Sequence, residues 1–275
     1  MDIVIAPLRD APPADPQALP AEWAAWAEEP GHVVAVQEEA RVLGRVHVVV
    51  VGRSECWLEG LWVQPAARGR GVGGRLVAAA EEVARDYGAE VARTAIPRHD
   101  YGAAAVAERA GFQRVCDAVV LLANLPHGPI DFPFDTPVAS GEGRDVPALV
   151  EFLAASPTLA AWRGLVPLGW RFRRLVPELV RGLAKDGRIV RSGDAVEGAA
   201  AFALRGDTVV FSWLDAPRPQ RQALFAAVAE RARTAGAVRA AVFAPDAWAL
   251  EGIRAAFTPH PWCPDGLLVV EKRLG

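Results

Sequence analysis

Lysine is nearly missing from this chain. Lys185 and Lys272 are the two present, and arginine carries the rest of the positive charge. Acidic residues number 33 against 30 basic ones, giving a formal charge of −3 and a pI near 6.0. No basic stripe forms on any segment, which excludes nucleic acid as a default partner. The arginine bias, together with alanine-rich helical segments, reflects a GC-rich bacterial genome better than a binding surface. Cysteine is also scarce: Cys56, Cys116 and Cys263 are odd in number and lack metal-ligand spacing. They argue against a disulfide framework and a metal centre, and for a reducing cytoplasm. No apolar run approaches the ~18–20 residues of a membrane span. The opening "MDIVIAPLRD" carries Asp2 where a secretory leader has basic residues, and it reads as a strand.

What is present is apolar substance, 52% of 275 residues, enough for one large domain or two ordinary ones. β-rich runs fall at Ile3–Ala6, His32–Gln37, Val42–Val51 and Trp57–Val63. A helix is predicted over Gly71–Tyr87, with Val72, Leu76, Ala79, Ala80 and Val83 on one face and Gly88 as its stop. A strand at Val91–Ile96 follows, then a helix at Ala103–Ala110. A pair of strands at Phe112–Val115 and Ala118–Leu125 is expected to close the domain. The class is mixed α/β. "PHGPIDFPFDTP", Pro126–Pro137, reads as the linker region, setting a linker at 127–136 between halves 1–126 and 137–275. The second half repeats the plan. Leu224 lies 148 residues after Leu76, and the same offset pairs Gly88 with Gly236 and Pro97 with Pro245. Upstream, "VLGRVHVVV" is similar to "VEGAAAFAL", setting Gly44 against Gly198. This points to duplication. The same offset places Pro219 opposite Gly71 and Arg221 opposite Gly73. Proline lacks an N–H and arginine adds a Cβ, so the second copy is degenerate in its loop.

The loop itself is "VQPAARGRGVGGRL", Val63–Leu76. Gly69, Gly71 and Gly74 fit G-x-G-x-x-G, but a dinucleotide site needs its glycines directly after the first strand. Here several strands come first and Pro65–Arg68 intervenes. No Gly-Lys-Ser/Thr follows, which excludes a nucleotide triphosphate P-loop. The alternative frame, Arg68-x-x-Gly71-x-Gly73, opens a helix whose N-terminal N–H groups suit a pyrophosphate. That frame resembles the acetyl-CoA loop of the GNAT acyltransferase superfamily. The "VQP" lead-in and "RHDYGAAAVAERAGFQRV" are similar to the family as well. The resemblance covers most of residues 1–125, and the second half only in outline.

The resemblance implies tandem GNAT-like domains and direct transfer of acetyl from acetyl-CoA to an amine. It implies cofactor contacts from Leu61, Trp62 and Val63 on the strand, and from Arg68, Gly69, Arg70, Gly71, Val72, Gly73 and Gly74 in the loop. Asp100 stands where relatives often carry a cofactor-contacting Asn. Glu59, near the usual general-base position, is the catalytic candidate, although a solvated strand carboxylate is the plainer reading. The usual tyrosine position falls on Ala107. Tyr101 is the nearest phenol, Cys116 the nearest thiol, and His99 a titratable loop residue. The helix Pro20–Glu29, with Trp23, Trp26 and Glu22, Glu28 and Glu29, is expected beside the acceptor. Trp162 and Trp170, combined with Arg171, Arg173 and Arg174, are expected in the core or at a domain interface, with a substrate platform as the alternative, and Trp213 is a further candidate for that interface. The expected protein is a monomer or homodimer acting on a small-molecule or peptide amine. Two alternatives stay open: an acyl-CoA-binding pseudoenzyme or sensor, and an NAD-dependent oxidoreductase.

Overall fold

Apolar residues recur at both strand and helix periods, and the chain folds accordingly into mixed sheets with helices packed on them. The computed structural model describes residues 1–7, 31–39, 41–126, 128, 137–253 and 255–275. The helix expected at Pro20–Glu29 and nearly all of the linker at 127–136 lie outside these residues.

In chain order the first elements are β1 (Asp2–Pro7), β2 (His32–Glu38), β3 (Arg41–Val50), β4 (Glu55–Val63), α1 (Val72–Asp86), β5 (Val91–Pro97), α2 (Tyr101–Arg109) and β6 (Gln113–Asn124). There follow β7 (Val138–Ser140), α3 (Val146–Ala154), α4 (Pro157–Ala161), β8 (Leu165–Leu168), β9 (Arg171–Arg174), α5 (Pro177–Lys185) and β10 (Ile189–Ser192). The last are β11 (Gly198–Arg205), β12 (Thr208–Asp215), α6 (Arg218–Thr234), β13 (Arg239–Ala244), β14 (Thr258–Pro259) and β15 (Leu267–Arg273).

These form two units. The first comprises Met1–Ile96, Asp100–Arg114 and Val269–Gly275; the second comprises Pro97–His99 and Val115–Leu268. The strand order in the first unit is β1-β2-β3-β4-β5-β15. Neighbours from β1 to β4 are antiparallel, and β4 and β5, joined through α1, are parallel. In the second unit the order is β7-β10-β11-β12-β13-β6. There β12 and β13 form the parallel pair, with α6 as the crossover. The units share out the chain differently from the expected halves 1–126 and 137–275. Each takes its sixth strand from the other half: β15 lies beside β5, and β6 pairs antiparallel with β13. The expected pair of strands at Phe112–Val115 and Ala118–Leu125 is instead one continuous strand. Membership of a sheet is decided by which edge a strand pairs with, a non-local property that contiguity in sequence does not encode.

In unit 1, α1 lies across β2, β3 and β4 with Val72, Leu76, Val77, Ala80, Val83 and Ala84 buried. Gly44 on β3 makes that approach possible: a Cβ there would fall 2.7 Å from Trp62 O and 3.0 Å from Leu76 Cδ1. Gly198 on β11 holds the matching place under α6, where a Cβ would fall 2.6 Å from Ala216 Cβ and 3.1 Å from Leu224 Cδ1. The three tryptophans expected in the core or at an interface find their neighbours in unit 2. Trp162 meets Phe172 edge-on and donates its indole N–H to Asp117 O, and Trp213 is buried. Trp170 packs on Phe243, His260 and Trp262.

Candidate functional site

The site begins where two parallel strands part. β4 and β5 pair only at Glu55↔Val91, Cys56↔Ala92 and Trp57↔Arg93, although both strands run on. Past Trp57 the β5-facing edge of β4 carries N–H and C=O groups that β5 does not take up, which is an edge able to pair with an extended ligand arm. A bulge accentuates the parting. Arg45 faces Trp62 and His47 faces Glu59, so β4 advances three residues while β3 advances two. Gly60 absorbs the extra residue at φ 61°, a left-handed conformation glycine adopts without strain. Residues 59–63 are accordingly half-buried, whereas Cys56, Trp57 and Leu58 are buried.

At the end of β4 the chain makes a 3-10 turn, Pro65–Ala67, and then the glycine loop. Gly69 and Gly71 sit at φ 78° and 79°, and a Cβ built on either meets nothing within 4 Å. Their glycines therefore answer to backbone shape and an open face. Gly73 answers to packing, since a Cβ would lie 3.1 Å from Val106 on α2. The helix α1 starts from Gly71 with no side-chain cap and no acidic residue in its first turn. Arg75 N–H donates to Gly71 O, so the N–H groups of Val72, Gly73 and Gly74 precede the helical ladder. Such a helix end, with the positive end of the macrodipole behind it, has the chemistry that suits an anion.

The expected loop arginines are engaged with protein. Arg68 Nε donates to Val63 O at 3.3 Å, and Arg70 is paired with the exposed Glu38 at 2.9 Å. Asp100 accepts from Ala103 N at 2.9 Å and so serves as N-cap of α2.

Glu59 is not a solvated strand carboxylate. Its side chain is 9% exposed, and Oε1 lies 2.9 Å from Nδ1 of His47, which is fully buried on β3. His47 escaped the sequence reading. Within "VLGRVHVVV" it looks like one more core position, and only the register across the bulge brings it to Glu59. Arg45, on the same face of β3, is 6% exposed; burial pulls its guanidinium down to about 10, still charged at neutral pH. Cys56 is buried on β4, and its thiol is pushed up to about 12, chiefly by desolvation, so it is no nucleophile.

The remaining candidates lie elsewhere. Ala107 is buried on α2, and Tyr101 at the start of that helix is 80% exposed. Tyr87 follows the far end of α1, about 22 Å from the loop at 1.5 Å per residue, and meets His32. His99 is exposed and Cys116 is buried. Among the described residues no helix is long and apolar enough to cross a membrane.

Residues 2–112 match the model of the acetyltransferase (GNAT) family. No curated protein matches the chain. Among solved structures, a GCN5-related N-acetyltransferase from Sphaerobacter thermophilus is 16% identical, covers 94% of this chain and 87% of its own, and superposes with a TM-score of 0.60. A tandem GNAT protein from the clavulanic acid biosynthesis pathway is 14% identical, covers 100% of this chain and 99% of its own, with a TM-score of 0.56. At such identities the likeness to these two is one of fold.

Proposed function

We propose that the chain, whose residues 2–112 match the acetyltransferase (GNAT) family model, moves acetyl from acetyl-CoA directly to an amine of a small molecule or peptide, with unit 1 as the working unit. The observation that carries this reading is the parted β4–β5 edge ending in an uncapped helix, with a buried carboxylate on the same strand. The residues present fit the donor. The N–H groups of Gly71–Gly74 suit its pyrophosphate, and Gly69 and Gly71 leave the face clear for close approach. The edge of Leu61, Trp62 and Val63 suits the amide-bearing arm. Arg68 and Arg70 border the loop, and Asp100 contributes the cap that fixes α2.

Acetyl-CoA, when bound, supplies an activated carbonyl and a thiolate leaving group. The protein's share is positioning and proton transfer. Backbone groups of Leu61–Val63 orient the arm and polarise the carbonyl. Glu59 accepts the proton that the ammonium form of the acceptor must lose before its nitrogen can attack, directly or through a water. Thiolate is a fair leaving group, so Ala107 in place of the family's tyrosine leaves the scheme workable without a dedicated acid. Unit 2 is read as a degenerate copy that serves through its surfaces. Shared strand order and the matched glycines Gly44 and Gly198 support that reading. Three free, buried thiols suit a cytoplasmic enzyme.

Calorimetry with coenzyme A tests the site. One molecule should bind per chain, and Gly71→Pro, which removes an N–H and cannot adopt φ 79°, should abolish binding. Glu59→Gln should keep that affinity and lower transfer by about 10²–10⁴-fold. Two equivalent sites, or intact binding by Gly71→Pro, would overturn the assignment of the loop. An unchanged rate in Glu59→Gln would remove Glu59 from the chemistry.

A further inference from the structure

His47 is a polar group that the scheme above leaves idle, yet it is 0% exposed in a strand otherwise suited to valine. Burying an imidazole is costly unless it is hydrogen-bonded, and its bond to Glu59 offsets part of that cost. We propose that His47 is the positioning residue of Glu59. Its Nδ1–H donates to Oε1 and thereby holds the carboxylate in place for its proton-accepting role. The inference rests on the reading of Glu59 as the base.

Four features converge on it. His47 and Glu59 are direct cross-strand partners, so their Cβ atoms project from the same face of the sheet. The bond is 2.9 Å and shielded from solvent, where water does not compete for either group. An ionised carboxylate only accepts, which requires the hydrogen on Nδ1. Finally, Gly31 leaves the room that the ring occupies. A Cβ at position 31 would fall 2.1 Å from His47 Nε2 and 2.9 Å from Val48 O. The ring is thus hemmed in on the side away from Glu59. On the other strand Glu59 immediately precedes Gly60, the bulge residue, and is the last β4 residue in the register that runs back to Cys56.

Two measurements on the full chain test the proposal. Nitrogen-15 spectra of the imidazoles should show His47 with hydrogen on Nδ1, and Glu59→Leu should move that hydrogen to Nε2. A wild-type His47 carrying hydrogen on Nε2 with a bare Nδ1 would overturn the proposal. The second measurement follows CoA release from acetyl-CoA against a panel of polyamines, amino sugars and peptide N-termini. His47→Val should lower kcat by about 10²-fold, the scale of a misplaced catalytic group, with the KM for acetyl-CoA unchanged. His47→Asn, which keeps an N–H near the position of Nδ1, should recover most of the loss. Gly31→Ala, which displaces the ring, should behave like His47→Val, and it carries the test should that variant fail to fold. Full kcat in His47→Val or Gly31→Ala, alongside a collapsed Glu59→Gln, would overturn the role of His47 alone. An active Glu59→Gln would instead overturn the base reading on which it rests.

Discussion

The two units set six strands and one crossover helix in the same order, and they part company at the helix N-terminus. In unit 1, α1 leaves Gly71 with no side-chain cap and a clear face before it. In unit 2, α6 leaves Pro217, and Pro219 in its first turn has no N–H to offer. Arg221 adds to the closure: its guanidinium donates to Ala216 O at 2.9 Å and to Glu251 O at 3.0 Å. The strands tell the same story. From Glu59 onward β4 is half-buried, whereas Ser212, Trp213, Leu214 and Asp215 on β12 are all buried. Phe172 on β9 packs edge-on against Phe243 on β13 and against Trp162. Topology is therefore not the site. The proposed site is a set of helix-terminal N–H groups with no side chains in front of them, an arrangement present in unit 1 and not at the matching helix of unit 2.

The largest expected effect breaks the comparison at its sixth strand. Unit 1 depends on β15, whose Val269, Val270 and the following Leu274 are buried. Glu271 bonds Arg93, which is 2% exposed, and Lys272 bonds the buried Glu81 at 2.7 Å. Removing Val269–Gly275 exposes apolar surface worth ~1.5–3 kcal/mol per large side chain. It also strips one partner from each of two buried charges, leaving Arg93 with Glu55 and Glu81 with Arg85. These losses rival the ~5–15 kcal/mol that holds an ordinary domain together. Residues 1–268 should lose coenzyme A binding and the cooperative unfolding of unit 1, and so should a fragment 1–130. Either chain, if soluble and binding coenzyme A normally, would show that β15 is dispensable.

That dependence marks the limit of what the sequence makes legible. α1 and its loop were readable because their signals are local: an apolar face at helical spacing, glycines where φ turns positive, and a glycine stop. The observed α1, Val72–Asp86, lies within the expected Gly71–Tyr87. The matched offset between Leu76 and Leu224 was readable too, and both residues reach under the sheet to Gly44 and Gly198. What stayed hidden is non-local. The exchange of β6 and β15 depends on edge pairing, and the meeting of His47 with Glu59 depends on a register set by a bulge. Gly60 gives no sign in sequence that it bulges. Glu38, facing Arg70, is likewise a partner that only folding brings to the loop.

A smaller perturbation sharpens the comparison by applying one change to both units. Gly44→Ala would push a methyl to 2.7 Å from Trp62 O, and Gly198→Ala would push one to 2.7 Å from Ser192 Oγ and 2.6 Å from Ala216 Cβ. Each overpacking should cost ~1–3 kcal/mol. The functional outcomes should differ. Gly44 lies against Trp62, Val72 and Leu76, the strand and helix residues that frame the open loop, so its variant should also weaken coenzyme A binding. Gly198→Ala should leave that affinity alone. Chemical denaturation and calorimetry on the two variants decide it, and equal losses of affinity would deny the functional asymmetry of the units.

The smallest effect concerns the exposed ion pair beside the glycine loop, Arg70 with Glu38. Arg70 and Glu38 are 44% and 41% exposed, a pair that contributes little to stability. It nonetheless spends a loop cation on a carboxylate. A pyrophosphate approaching α1 meets Arg70 already neutralised and meets the negative charge of Glu38 as well. Glu38→Gln removes that charge and frees the guanidinium to lean toward an anion. Exposed pairs are worth ~0.2–1 kcal/mol, so coenzyme A should bind about 1.5–5-fold tighter in the variant. The gain should shrink as salt rises from 50 mM to 500 mM, because screening weakens both the repulsion and the attraction. The fold should be untouched, with an unfolding midpoint close to that of the parent chain. Weaker binding in Glu38→Gln would mean that the pair holds the loop in its binding shape. A gain that persists in high salt would mean that the effect is not electrostatic.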